Sequence, residues 1–118
     1  MNEKKRYYWL ELQEDFFDKD VINFIESQQN GEKYIVFYLK LCLKSLKKQG
    51  ILIRHVGNCL IPYDDAGLAK LTNTDVATVT YAMNLLSKAG LIKKLETGEL
   101  LLTHIKFDNS ASHNKEGE

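Results

Sequence analysis

The chain has 118 residues, and its 16 basic side chains balance 16 acidic ones. That length suits one small domain with one modest core. The balance excludes a global electrostatic pull toward nucleic acid but leaves room for a local basic patch. The first ten residues lack a signal peptide's apolar region, so the setting reads as cytoplasmic, where Cys42 and Cys59 are not expected to form a structural disulfide. No internal repeat is visible.

Taken in order, Lys4, Lys5 and Arg6 form a basic tip before the aromatic run Tyr7-Tyr8-Trp9-Leu10-Glu11-Leu12, whose composition favours a short strand. The tip could touch phosphate, while Tyr8, Trp9, Leu10 and Leu12 tie the arm to the core. Asp18 or Asp20 can cap a first helix over 19–28, with Val21, Ile22, Phe24 and Ile25 as its apolar face and Phe16 and Phe17 as a hydrophobic staple. Asn30-Gly31 breaks the chain. A second helix then runs toward Gly50, apolar nearly all round except for a narrow stripe of Lys33, Lys40, Lys44 and Lys47. Such a helix must be covered on several sides. It is too short and too interrupted by lysine to span a membrane. The lysine stripe reads as a solvated face, with DNA contact as the alternative.

Residues 51–63 read as strands with a turn at Gly57-Asn58, ended by Pro62. Asp64 or Asp65 caps a short helix through Leu71. Thr72-Asn73-Thr74 is a turn and a second cap. A helix follows from about Asp75 to Lys88, with Val76, Val79, Met83 and Leu86 as its core stripe, widened by Ala82 and Leu85. Its other face carries Ala77, Thr78, Tyr81, Asn84 and Lys88. Ala89-Gly90 closes it. The run 91–107 forms a hairpin around Glu96-Thr97-Gly98-Glu99, with His104 in its second strand. Residues 1–107 therefore read as one domain with an aromatic arm, and residues 108–118 as a polar, disordered linker.

Short helix, tight turn, longer helix, glycine and hairpin is the order of a winged helix-turn-helix. The expected fold class is α+β: that motif with additional N-terminal helices and a β-hairpin wing. In that geometry the second helix of the motif enters the major groove. Thr74, Thr78 and Tyr81 are then the leading base-contact candidates. Asn73 stands at the helix entrance, Lys70, Lys93 and Lys94 are phosphate candidates, and Thr97 is at the wing tip. Each has a plainer explanation: capping for Asn73, Thr74 and Asp75, packing for Tyr81, a solvated strand edge for Lys93 and Lys94. The exposed helix face carries no arginine, the commonest bidentate reader of guanine. Tyr34, Tyr38, Trp9 and the hairpin beginning at Ile51 are apolar material that could be buried between subunits.

These residues also carry a family resemblance. The segments 6-RYYWLELQEDFFDKDVINFIES-27, 31-GEKYIVFYLKLCLKSLKKQG-50, Ile61-Pro62-Tyr63 and 68-LAKLTNTDVATVTYAMNLLSKAGLI-92 resemble the N-terminal domain of phage replisome organisers, replication initiators similar to the DnaD group. The resemblance covers nearly everything before the tail. It implies an N-terminal winged helix in the cytoplasm of a bacterial host, bound to double-stranded origin DNA, assembled as a homo-oligomer of at least two copies, or both. It also implies a helicase or helicase loader as a partner of a C-terminal region, and no cofactor. Two further readings use the same fold: a protein-interaction or dimerisation module of the replication machinery that does not read DNA, and a winged-helix transcriptional regulator. Catalysis is disfavoured. No phosphate-cradling glycine loop and no metal-spaced Cys/His set is present, and His55, His104 and His113 form no catalytic constellation.

Overall fold

The computed structural model describes residues 7–104 and 107–109. The basic tip Lys4, Lys5 and Arg6 and residues 110–118 of the expected linker lie outside the described residues. The aromatic arm forms a short strand, β1 (Tyr8–Leu10). Leu10 packs on the core, whereas Trp9 and Leu12 stay largely exposed, so the arm is held by fewer side chains than its composition suggests. A single 3-10 turn follows at Phe16–Asp18, where the two phenylalanine rings meet edge to face at 4.9 Å.

Helix α1 (Asp20–Glu26) has Lys19 at its N-cap and no side-chain cap, which corrects the expectation that Asp18 or Asp20 fills that position. Asp20 instead sits in the first turn, where a carboxylate favours the exposed N–H groups. Ile22 and Ile25 are buried. Asn30 takes a left-handed backbone with φ of 65°, and α2 (Gly31–Ser45) starts at the glycine. No other residue fits there, because a Cβ on Gly31 would lie 2.4 Å from the Ile25 carbonyl oxygen and 2.5 Å from that of Glu26. The last carbonyls of α1 press directly on the first turn of α2.

Helix α2 is the centre of the core. Tyr34, Ile35, Phe37, Tyr38, Leu41, Cys42 and Ser45 are all buried, leaving open the stripe with Lys33, Val36, Lys44 and Lys47. Fully burying large apolar side chains such as Ile35, Phe37 and Leu41 contributes roughly 1.5–3 kcal/mol each. Tyr34 and Tyr38 are thus covered within one chain, contrary to the idea that they are surplus held for another subunit. Burial pushes the Cys42 thiol up to about 12, so it is an inert core group. Cys42 and Cys59 are both free thiols. The helix ends in a 3-10 turn at Leu46–Lys48, with Gln49 and Gly50 at positive φ, and the Gly50 N–H donates to the Ser45 carbonyl at 2.9 Å.

Strand β2 (Ile51–Leu52) is followed by a separate hairpin, β3 (Arg54–Val56) and β4 (Cys59–Ile61), turning at Gly57-Asn58. Then come α3 (Asp65–Thr72), α4 (Val76–Lys88), β5 (Ile92–Lys94) and β6 (Leu100–Leu102). The last two strands pair with β2 in one antiparallel sheet of order β2-β6-β5, in register Ile51 with Leu101 and Ile92 with Leu102. Leu52, Ile92, Leu100 and Leu102 point into the core beside Val79, Ala82 and Leu86 of α4. Val76 was expected in that stripe but is 48% exposed, since the first turn of α4 projects beyond the core. His104 lies in a turn after β6, not in a strand. Finally β7 (Phe107–Asn109) pairs antiparallel with β1, so strand pairing continues two residues past the Phe107 boundary. The fold is mixed α+β, with four helices and small antiparallel sheets among the described residues.

Gly31→Ala should lower the unfolding free energy by about 2–3 kcal/mol, read as a lower urea midpoint with an unchanged slope. An unaltered midpoint would mean that α1 and α2 do not approach as closely as the backbone indicates.

Candidate nucleic-acid interface

The connection from α3 to α4 is short because each end is capped by its own sequence. At the entrance to α3, the Asp64 carboxylate accepts the Gly67 N–H at 2.8 Å. At its exit Asn73 adopts a left-handed backbone, φ 55°, a conformation that asparagine tolerates better than most residues. The Thr74 N–H returns to the Ala69 carbonyl at 2.9 Å. Asp75 then caps α4: Oδ2 accepts the Thr78 N–H at 3.0 Å and Oδ1 accepts the Thr78 hydroxyl at 2.8 Å. The Thr78 hydroxyl, then the Thr78 N–H and a smaller pull from Lys33, hold the Asp75 carboxyl below its usual range.

The expected contact residues divide sharply. Thr74 and Thr78 are half-buried, and their hydroxyls are occupied, Thr74 donating to the Thr72 carbonyl at 3.2 Å and Thr78 to Asp75. They shape the turn. Asn73 and Lys70 are exposed. Tyr81 is 51% exposed, and its ring rests on that of Tyr34 of α2 with centroids 5.2 Å apart. Packing and exposure therefore coexist at Tyr81. Lys93 and Lys94 are exposed on β5. Thr97 is exposed at the hairpin tip and donates to the Glu99 carboxylate. The tip is fixed by Gly98, whose φ is +96° and where a Cβ would come within 2.5 Å of the Pro62 ring.

Two lysines of the α2 stripe, and Arg54, which was not singled out as a contact, gather at the same turn. Lys33 and Lys40 share a shallow groove with Asn73, Thr74, Asp75 and Thr78. Arg54 of β3 borders another, with Lys70, Thr74 and Val76. Its guanidinium lies 5.8 Å from the centroid of the Tyr63 ring. Thr80 donates to Asp65 at 2.6 Å, tying the middle of α4 to the start of α3. These pairings join residues far apart in the chain, so periodicity carries no trace of them. Lys40 is not part of a free stripe: it is half-buried, and its ammonium donates to the Thr72 carbonyl at 2.8 Å, closing the last turn of α3. Lys44 and Lys47 remain exposed, Lys47 with its ammonium 5.9 Å from the centroid of the Tyr8 ring. From Asp64 to His104, Asp64, Asp65, Asp75, Glu96 and Glu99 outnumber Lys70, Lys88, Lys93 and Lys94, and in the grooves Asp64 lies beside Arg54 and Lys70, and Asp75 beside Lys33 and Lys40.

The model of the N-terminal phage replisome organiser family matches residues 9–118. The chain belongs to that family. Its general role is therefore in initiating phage DNA replication. The family is a non-catalytic one, and among the described residues no group of three or more His, Cys, Asp or Glu side chains is placed to hold a metal ion. No described helix of this organiser domain is long and apolar enough to cross a membrane. No curated protein and no solved structure matches it.

Two measurements check the turn. Lys40→Met should cost about 1–2 kcal/mol by urea unfolding, whereas Lys44→Met should stay within about 0.5 kcal/mol of the parent. Asp75→Ala should lower the thermal midpoint at neutral pH. Because the folded carboxyl titrates below the ordinary aspartate value, its contribution is complete above about pH 4 and fades as pH falls through the depressed value. The parent and Asp75→Ala curves should therefore converge in acid; a gap independent of pH would show that the ionised cap is not responsible.

Proposed function

We propose that this organiser domain is a winged helix that binds double-stranded DNA at a phage origin, in the cytoplasm of the bacterial host. The observation that carries the reading is the outward face of α4. Ala77, Tyr81, Asn84 and Lys88 stand open on one side of the helix while Val79, Ala82 and Leu86 seal the other. Apart from the β3–β4 hairpin inserted after β2, the order α2, β2, α3, α4, β5, β6, with strand order β2-β6-β5, supports the winged-helix assignment. The family's place in replication supports DNA as the partner.

In this reading α4 lies in the major groove, with Tyr81 at base edges and Asn73 at the entrance. Thr74 and Thr78 hold the turn that aims it. Lys70, Lys93 and Lys94, joined by Lys33 and Arg54, meet phosphate, and Thr97 reaches the backbone from the hairpin tip. Because carboxylates stand among these cations, Asp64 beside Arg54 and Lys70 and Asp75 beside Lys33, a single copy binds weakly, and occupancy comes from several linked copies on repeated sites. A helicase or its loader would then be engaged through a C-terminal region.

A second reading, an assembly module that does not read DNA, is favoured by the β3–β4 hairpin, where Val56 and Leu60 are 54% and 56% exposed. Titrating labelled origin and scrambled duplexes at two salt concentrations separates the two. DNA binding gives a salt-dependent affinity with preference for the origin. Pure assembly gives a stable oligomer and no duplex binding. Lys93→Ala with Lys94→Ala should weaken both duplexes and reduce the salt slope by about two. Tyr81→Ala should instead narrow the preference between them. If neither variant changes binding, α4 and the hairpin are not the DNA surface.

A further inference from the structure

The composition of the outward face of α4 restricts which base pairs it can recognise, an inference that rests on the DNA-binding reading above. Ala77, Tyr81, Asn84 and Lys88 are spaced four, three and four residues apart and so fall on one line along the helix, and all four are exposed. Two other polar side chains at the start and middle of the helix are already committed. Both oxygens of the Asp75 carboxylate receive Thr78. The Thr80 hydroxyl donates to Asp65. The Asn84 amide, by contrast, hydrogen-bonds to none of the described residues, which leaves a donor and an acceptor side by side in the middle of the line. Val76, 48% exposed, and Ala77 place methyl groups at its entrance.

In the major groove, adenine presents N7 as acceptor next to N6 as donor, and an asparagine amide satisfies both at once. Thymine presents a methyl group. Guanine is read best by arginine or lysine, and cytosine by a carboxylate. The line on α4 holds an amide and methyl groups. It has no guanidinium and no carboxylate, and its ammonium group, Lys88, comes only in the last turn. From Ala77 to Asn84 the helix advances about 10 Å, which is roughly three base-pair steps.

We infer that α4 reads a short block of A·T pairs in the major groove. Asn84 bridges adenine N6 and N7, Val76 and Ala77 pack on thymine methyl groups, and Tyr81, propped by Tyr34, sets the distance between them.

The test uses the full chain and fluorescence anisotropy at fixed salt. Three duplexes share their flanks and differ in the core: A·T pairs, G·C pairs, or A·T pairs carrying 7-deazaadenine. The last removes the N7 acceptor and leaves base pairing and the minor groove intact. The A·T core should bind about tenfold more tightly than the G·C core, and the deaza core should lose most of that advantage. Asn84→Ala, at an exposed position, should bind the A·T and deaza cores alike. Asn84→Arg should shift preference toward G·C. Equal affinity for the A·T and G·C cores overturns the inference while leaving DNA binding in place. So does a preference left undiminished by both Asn84→Ala and the deaza core, because neither the amide nor adenine N7 would then carry it. Binding to none of the duplexes overturns the DNA-binding reading itself, and this inference with it.

Discussion

The fold depends on how little of α2 is left uncovered. At 100° per residue, Lys33, Lys40, Lys44 and Lys47 fall within about 60° of arc. Val36, Leu43 and Glu32 widen that open side, and the rest of the circumference carries buried side chains, among them Phe37, Leu41 and Cys42. A rod of that kind has no stable existence on the edge of a domain, since exposing it would forfeit most of the apolar burial available to so short a chain. The aromatic arm, α1, the α3–α4 pair and the sheet are the pieces that enclose it. The covering is close enough to fix individual residues. Gly31 is required where α1 abuts α2, and Lys40 reaches across to the last carbonyl of α3.

The arrangement around the α3–α4 turn follows from that enclosure. One end of the turn is held by the lysine from α2, and the other by the Asp75 cap. Tyr81 is propped from beneath by Tyr34, so a half-exposed ring is also a fixed one. The part of α4 left outside is consequently a rigid surface with few degrees of freedom, made of small, aromatic and amide groups. Positive charge is supplied by separate elements, from α2, β3, α3 and β5, and is interleaved with carboxylates.

The order of elements was legible in the sequence because its signals are local. The apolar wrap of residues 34–46, the turn at Gly57-Asn58, a cap at Asp64 or Asp65 and the break at Gly90 can each be read within a few residues; the second cap, expected in Thr72-Asn73-Thr74, falls on the next residue, Asp75. What misled was also local. An aspartate before an apolar run resembles a cap, yet Lys19 occupies that position in α1. Val76 has core spacing, but the first turn of α4 overhangs the core. Tyr34 and Tyr38 looked like surplus because the number of elements packed around α2 is a property of the whole fold. The site was less legible still. Thr74 and Thr78 are the residue types that contact DNA, and the same hydroxyls serve equally well inside a turn. Lys40 became structural through a carbonyl 32 residues away, and Arg54 comes beside Lys70 through a hairpin whose position no spacing encodes.

The contact between Gly98 and the Pro62 ring has a consequence for association. Pro62 leads directly into the Asp64 cap of α3, and Thr80 of α4 is bonded to Asp65 in the first turn of that helix. Hairpin tip, α3 and α4 are therefore clasped into one preformed contour. A partner touching both α4 and the hairpin meets them already in place, so the entropy of immobilising the loop is lost when the domain folds and not when the complex forms.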